Sequence, residues 1–145
     1  MDAKQVLVVA NETADRWHLL SAVLRRHSEG PCAFTLLVPA GAPPATLTWT
    51  EAGAHEYAQE RMEEALDRMR SHGISARGVI GDADPMLAID DEVMPNRYDE
   101  IIISTHSPGI SRWLRQDLPN RVARKYRLHL THVYPDVEAL TTQSA

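Results

Sequence analysis

Three short runs constrain this chain more than any other feature: QVLVVA at 5–10, CAFTLLVPA at 32–40 and DEIIIST at 99–105. The apolar core of each is continuous and rich in valine, isoleucine or leucine, with no polar residue at every second place. That is the pattern of a strand buried on both faces, as in a parallel sheet. Helical patterns lie between the runs. In Ala14 to Glu29, Trp17, Leu20 and Leu24 recur at helical spacing, Leu19 and Val23 widen the stripe, and Gly30-Pro31 ends it. A second face, Ala54, Ala58, Met62, Ala65, Leu66 and Met69, ends near Gly73, and Thr48 with Glu51 has capping-box spacing before it. ISARGVIG, at 74–81, predicts a more polar third strand. Asp84 then offers an N-cap and Pro85 a first helical position, ahead of Leu87, Ile89 and Val93. NRVARKY (120–126) reads as helical, and LHLTHV (128–133) as the last strand.

Strands alternating with helices through short connections predict an α/β fold, a parallel sheet with helices on both faces and right-handed crossovers. The 145 residues suit one domain, expected over 1–136, and the small polar tail at 137–145 is expected to be disordered. With 43% hydrophobic and 24% charged residues the chain is too apolar for disorder. A net charge of -5 draws it neither to nucleic acid nor to an anionic membrane. The first apolar run is too short for a signal-peptide core or a span, so a cytoplasmic protein is expected. Cys32, the only cysteine, excludes an internal disulfide and a multi-cysteine zinc site, and reads as an inert core thiol.

Open α/β sheets bind ligands beyond the carboxyl ends of their strands. The stretches to weigh are therefore Asn11 to Thr13, Val38 to Ala40, and STHSPGISRWLRQDLPNRV at 104–122. The VLVVANET start, the GDADPMLAI segment and the IIISTHSPG…RWLRQDLPNRV…THV finish resemble the universal stress protein (UspA-like) family of the adenine-nucleotide α-hydrolase-like superfamily, and within it a glycine-poor actinobacterial subgroup. The likeness covers nearly the whole chain. It implies a Rossmann-like five-stranded sheet of order 3-2-1-4-5, and dimerisation in many members. Nucleotide-binding members carry Gly-x2-Gly-x9-Gly-Ser/Thr after the fourth strand.

Aligned through Arg112, Leu114, Arg121 and Val122, the first two glycines fall on Ser104 and Ser107. With one residue deleted near Ile110, the third falls on Gln116 and the hydroxyl position on Asp117. The aspartate that closes the first strand becomes Asn11, and the valine whose backbone faces adenine becomes Val38. The resemblance thus implies a ligand site drawn from Ala10, Asn11, Thr13, Val38, Ser104, Thr105, His106, Ser107, Gly109, Gln116, Asp117 and Leu118. It also implies a homodimer joined antiparallel through the last strand: Leu128, Leu130, His132, Val133 and Tyr134.

A phosphate cradle needs backbone N–H groups close to oxygens, often through positive φ, which serine tolerates poorly. Asp117 followed by Pro119 reads as a self-capped helix start, the carboxylate standing where a phosphate would bind. The expectation is a degenerate site with weak or absent ATP binding and no required cofactor, ATP or AMP being the candidates by resemblance. Ser104, Thr105 and Ser107 supply hydroxyls, and His106, Arg112 and Arg115 supply charge, suited to a smaller or less charged molecule.

Seven histidines raise a metal reading, but they scatter over helices and strand faces, and only His106 and His132 are expected to approach. Ser104 or Thr105 with His106 makes a poor nucleophile and base, since strand neighbours diverge. Trp49 covers either a sheet edge, the pocket or a partner. Two classes follow: a non-catalytic universal-stress-type binding or signalling module, or a nucleotide-binding enzyme, hydrolase or adenylyl-transferring, on the same scaffold. The second lacks an SGG-x-D-S phosphate loop after the first strand and a HIGH-type motif, so the first is favoured.

Overall fold

The structure, a computed structural model, describes residues 3–41, 51–109 and 111–135. The expectations on Thr48, Trp49 and the tail at 137–145 lie outside the described residues. The elements run β1 (Lys4–Val9), α1 (Trp17–Ser28), β2 (Cys32–Pro39), α2 (Glu51–Ser71), β3 (Ala76–Gly81), α3 (Pro85–Val93), β4 (Glu100–Ser104), α4 (Arg112–Arg115), α5 (Leu118–Tyr126) and β5 (His129–Val133). All strand pairs are parallel, in the order β3-β2-β1-β4-β5.

Strand alternation divides the core into two halves. Val6, Val8, Phe34, Leu36, Val38 and Ile102 face one way, against Leu19 and Val23 of α1 and Ala58, Ala65 and Met69 of α2. Leu7, Val9, Leu37, Ile101 and Ile103 face the other, against Ala88 and Ile89 of α3 and Leu118 and Val122 of α5. Each fully buried aliphatic side chain contributes about 1.5–3 kcal/mol, which is why the apolar runs fix the sheet. The polar third strand fits by close approach. A Cβ on Gly78 would lie 2.6 Å from the Met62 sulfur, and one on Gly81 would lie 2.7 Å from the Ala88 Cβ.

Three local expectations change. α1 begins at Trp17, not Ala14, because Ala14 N–H and Arg16 N–H close turns onto Asn11 and Thr13 carbonyls. Trp17 is then exposed, and His18 takes the buried first-turn position beside Leu19 and Leu20. At β5, Val133 and Tyr134 are buried within the chain, so neither offers the apolar dimer contact expected of it. Cys32 is only half-buried, its thiol pushed up in pKa by burial. At the end of the sheet away from the strand carboxyl termini, Arg26 clasps Glu100 at 2.6 to 3.1 Å.

Candidate functional site

At the carboxyl ends of the strands a cavity of about 330 Å³ opens between the β1–α1 turn, the start of α3 and the segment after β4. Of the residues implied by the resemblance, Asn11, Thr13, Ser104, Thr105, His106 and Gln116 line it. Ala10, Val38 and Leu118 are fully buried in the core, and Ser107, Gly109 and Asp117 lie off the cavity wall. Glu12, Asp84, Ser111, Arg112, Trp113 and Arg121 join the wall, whereas Arg115 does not.

The floor is a set of buried hydroxyls. Thr13 Oγ1 lies 2.6 Å from Ser104 Oγ, which in turn lies 3.0 Å from His18 Nε2. Burial pushes the His18 imidazole down to about 4, a pull the Thr105 backbone carbonyl partly opposes, with Arg16, His106 and His132 adding to the depression. His18 is therefore neutral at pH 7. Thr105 donates its hydroxyl to the His106 carbonyl at 2.8 Å, so it accepts from His132 Nε2 at 2.9 Å. Burial lowers the His132 pKa too. His132 is thereby fixed to Thr105, while His106 pairs with Glu12 at 2.9 Å, and the described residues hold no group of three ligands for a metal.

Asn11 has a physical reason to be an amide. Its Nδ2 donates to the Pro39 carbonyl at 2.7 Å and reaches the Gly41 carbonyl at 3.5 Å. An ionised aspartate would face those two carbonyls with no hydrogen to give. Asn11 Oδ1 is left buried without a partner.

From Ser111 to Asp117, five backbone donors of the segment after β4 are bonded within it. Ser111 caps α4 by accepting from Leu114 N–H at 3.2 Å. The N–H groups of Ser111, Arg115, Gln116 and Asp117 go to carbonyls of Ser107, Ser111, Arg112 and Leu114 within the same segment. Asp117 departs from its expected role. It adopts a left-handed conformation (φ 57°, ψ 36°) and makes no side-chain cap. Its carboxylate instead accepts from Asn120 Nδ2 at 2.8 Å and lies 3.8 Å from Arg124. The cause is α4, which the sequence reading missed. Asp117 is the hinge where α4 turns into α5, and aspartate is among the few non-glycine residues that accept that conformation. Asp84 does cap α3 as expected, accepting from Met86 N–H at 3.0 Å with Pro85 behind it.

No protein-family model matches the sequence, and no curated protein is similar to it. Solved structures are similar. A universal stress protein family member from Burkholderia pseudomallei aligns over 89% of this chain and 94% of its own, at TM-score 0.61 and 14% identity. The universal stress protein of Archaeoglobus fulgidus aligns over 92% and 99%, at TM-score 0.62 and 16% identity. The chain has the universal stress protein fold. An Arabidopsis thaliana family protein solved with AMP bound aligns over 94% of each chain, at TM-score 0.61 and 13% identity. The universal stress fold thus arises here from a sequence only 13 to 16% identical to these solved structures. Among the described residues no helix is long and apolar enough to cross a membrane.

Proposed function

We propose that this chain is a cytoplasmic universal-stress-type module that binds a small ligand for signalling without turning nucleotide over, and that it takes ATP weakly or not at all. The observation that carries this reading is the internal use of backbone donors in the segment after β4. Ser111, Leu114, Arg115, Gln116 and Asp117 all have their N–H groups bonded within the segment. A triphosphate at this end of the sheet depends on such groups. The side chains argue the same way. Glu12 and Asp84 set two carboxylates on the wall against the guanidinium groups of Arg112 and Arg121. The wall therefore suits a ligand of low net charge better than one carrying about four negative charges. AMP, found in the Arabidopsis protein, is a more plausible nucleotide than ATP.

Native mass spectrometry of protein purified without added ligand tests the reading. A retained small molecule of low charge supports it, and retained ATP refutes it.

The same reading includes a homodimer about β5, which is the last strand in the sheet order and so offers its outward backbone to a second strand. Since Val133 and Tyr134 are occupied inside the chain, the contact rests on the outward backbone of Leu128, Leu130 and His132.

A further inference from the structure

The hydroxyl floor of the cavity has chemistry that ligand binding does not use. Ser104 Oγ faces His18 Nε2 at 3.0 Å, and the Thr105 carbonyl stands against the same ring as an acceptor. A neutral imidazole has one N–H to give. The carbonyl can only accept, while a hydroxyl can donate, so the ring proton goes to Thr105 and Ser104 donates to Nε2. Thr13 is left to donate to Ser104 Oγ at 2.6 Å. Nucleophile, base and orienting acceptor then stand in the order that activates a serine. The base comes from α1, not from the strand neighbour His106, whose Nε2 is held by Glu12.

We propose that Ser104 is an activated nucleophile, with His18 as its general base, and that it takes a short acyl group from a small uncharged ester. In the step, the Ser104 hydroxyl proton passes to His18 Nε2 as the Oγ–carbonyl bond forms. The bond to the leaving alcohol's oxygen breaks, and His18 returns the proton to that alcohol. Water then repeats the exchange and releases the acid. Thr13 donates to Ser104 Oγ at 2.6 Å and so orients the Ser104 hydroxyl toward His18. Ser104 is only 1% exposed although it lines the cavity, so the group accepted is narrow. This inference is independent of the ATP reading.

The test is p-nitrophenyl acetate on the intact protein, followed by peptide mapping. One acetyl group on Ser104 is expected, absent in Ser104→Ala, slowed roughly 100-fold or more in His18→Gln, and much slower with the octanoate ester. The pH profile of the unmodified protein provides a readout that needs no variant. With His18 at about 4, the Ser104 acetylation rate holds nearly constant from pH 8 to pH 5 once spontaneous ester hydrolysis is subtracted. An ordinary imidazole base, with a pKa of about 6.5, would be roughly thirtyfold slower at pH 5. No acetyl on Ser104, a profile falling near pH 6.5, or a folded His18→Gln that reacts as fast as the parent overturns the proposal.

Discussion

Gly81 is the point at which a single methyl group tests the packing beneath the site. It ends β3, and α3 lies against it just below Asp84 and Pro85 of the cavity wall. In Gly81→Ala the new Cβ would lie 2.7 Å from Ala88 Cβ and 2.9 Å from Leu37 Cδ1. The leucine methyl can rotate away, but Ala88 Cβ is fixed to the helix backbone, so α3 itself must lift. Overpacking of this kind costs about 1–3 kcal/mol, against roughly 0.5–1 kcal/mol gained from a stiffer unfolded chain. At mid-range the clash wins, for a net loss of about 1 kcal/mol, or roughly 3–5 °C in Tm for a chain of this length. Thermal melts of Gly81→Ala, Ala88→Gly and the double variant close the cycle. Ala88→Gly alone costs about 1 kcal/mol in helix propensity, yet the double variant is expected to be at least ~1 kcal/mol less destabilised than the sum of the two. A neutral Gly81→Ala, or strict additivity, would refute the close approach of α3 to β3.

Other expectations follow from the same contacts. Glu100→Gln should destabilise the protein at pH 7. Arg26, chiefly through its hydrogen bonds, holds the Glu100 carboxyl below its usual range, so the stability it contributes is present above about pH 4.3 and lost as pH falls through the folded value. Acid melts of parent and variant should converge there, and a constant gap down to low pH would contradict the assignment. His18 has a depressed pKa as well, so its share of stability is present above about pH 6.5 and lost as pH falls toward about 4. An NMR titration should find one imidazole with its midpoint near 4, and its absence would mean His18 is not buried as described. Asp117→Gly should leave the Tm unchanged or raise it, while Asp117→Val should lower stability by about 1–3 kcal/mol, because only the first suits the left-handed hinge. Leu130→Pro should convert the proposed dimer to a monomer in light scattering while keeping the fold. Val133 C=O accepts from Thr105 N–H, so Val133 turns its backbone toward β4 and Leu130 turns its N–H outward. A monomeric parent at high protein concentration would remove the premise.

The sheet was legible because burial on both faces leaves a mark that needs no tertiary information: Val6 to Val9 and Ile101 to Ile103 are apolar at every position and end up divided between the two core halves. Asp84 and Pro85 were legible for the opposite reason, a cap being decided by a few adjacent residues. Asp117 carried the same local pattern and misled, since a one-turn helix ahead of it reset the chain direction and turned its carboxylate outward. His18 was hidden by the start of α1. Counting the stripe from Trp17 puts the tryptophan inward, whereas docking of the first turn over Ser104 selects the histidine. Glu12 meets His106 only when β1 lies beside β4, and the Asn11 amide meets the Pro39 carbonyl only when β1 lies beside β2.

Calorimetric titration of the purified protein with ATP, with and without magnesium, beside AMP, bears most directly on a site in which the backbone donors of Ser111 and of Leu114 to Asp117 are bonded within their own segment. No measurable ATP heat at micromolar protein, with any binding confined to AMP or to ligands of lower charge, is the predicted result. A micromolar dissociation constant for ATP would contradict it.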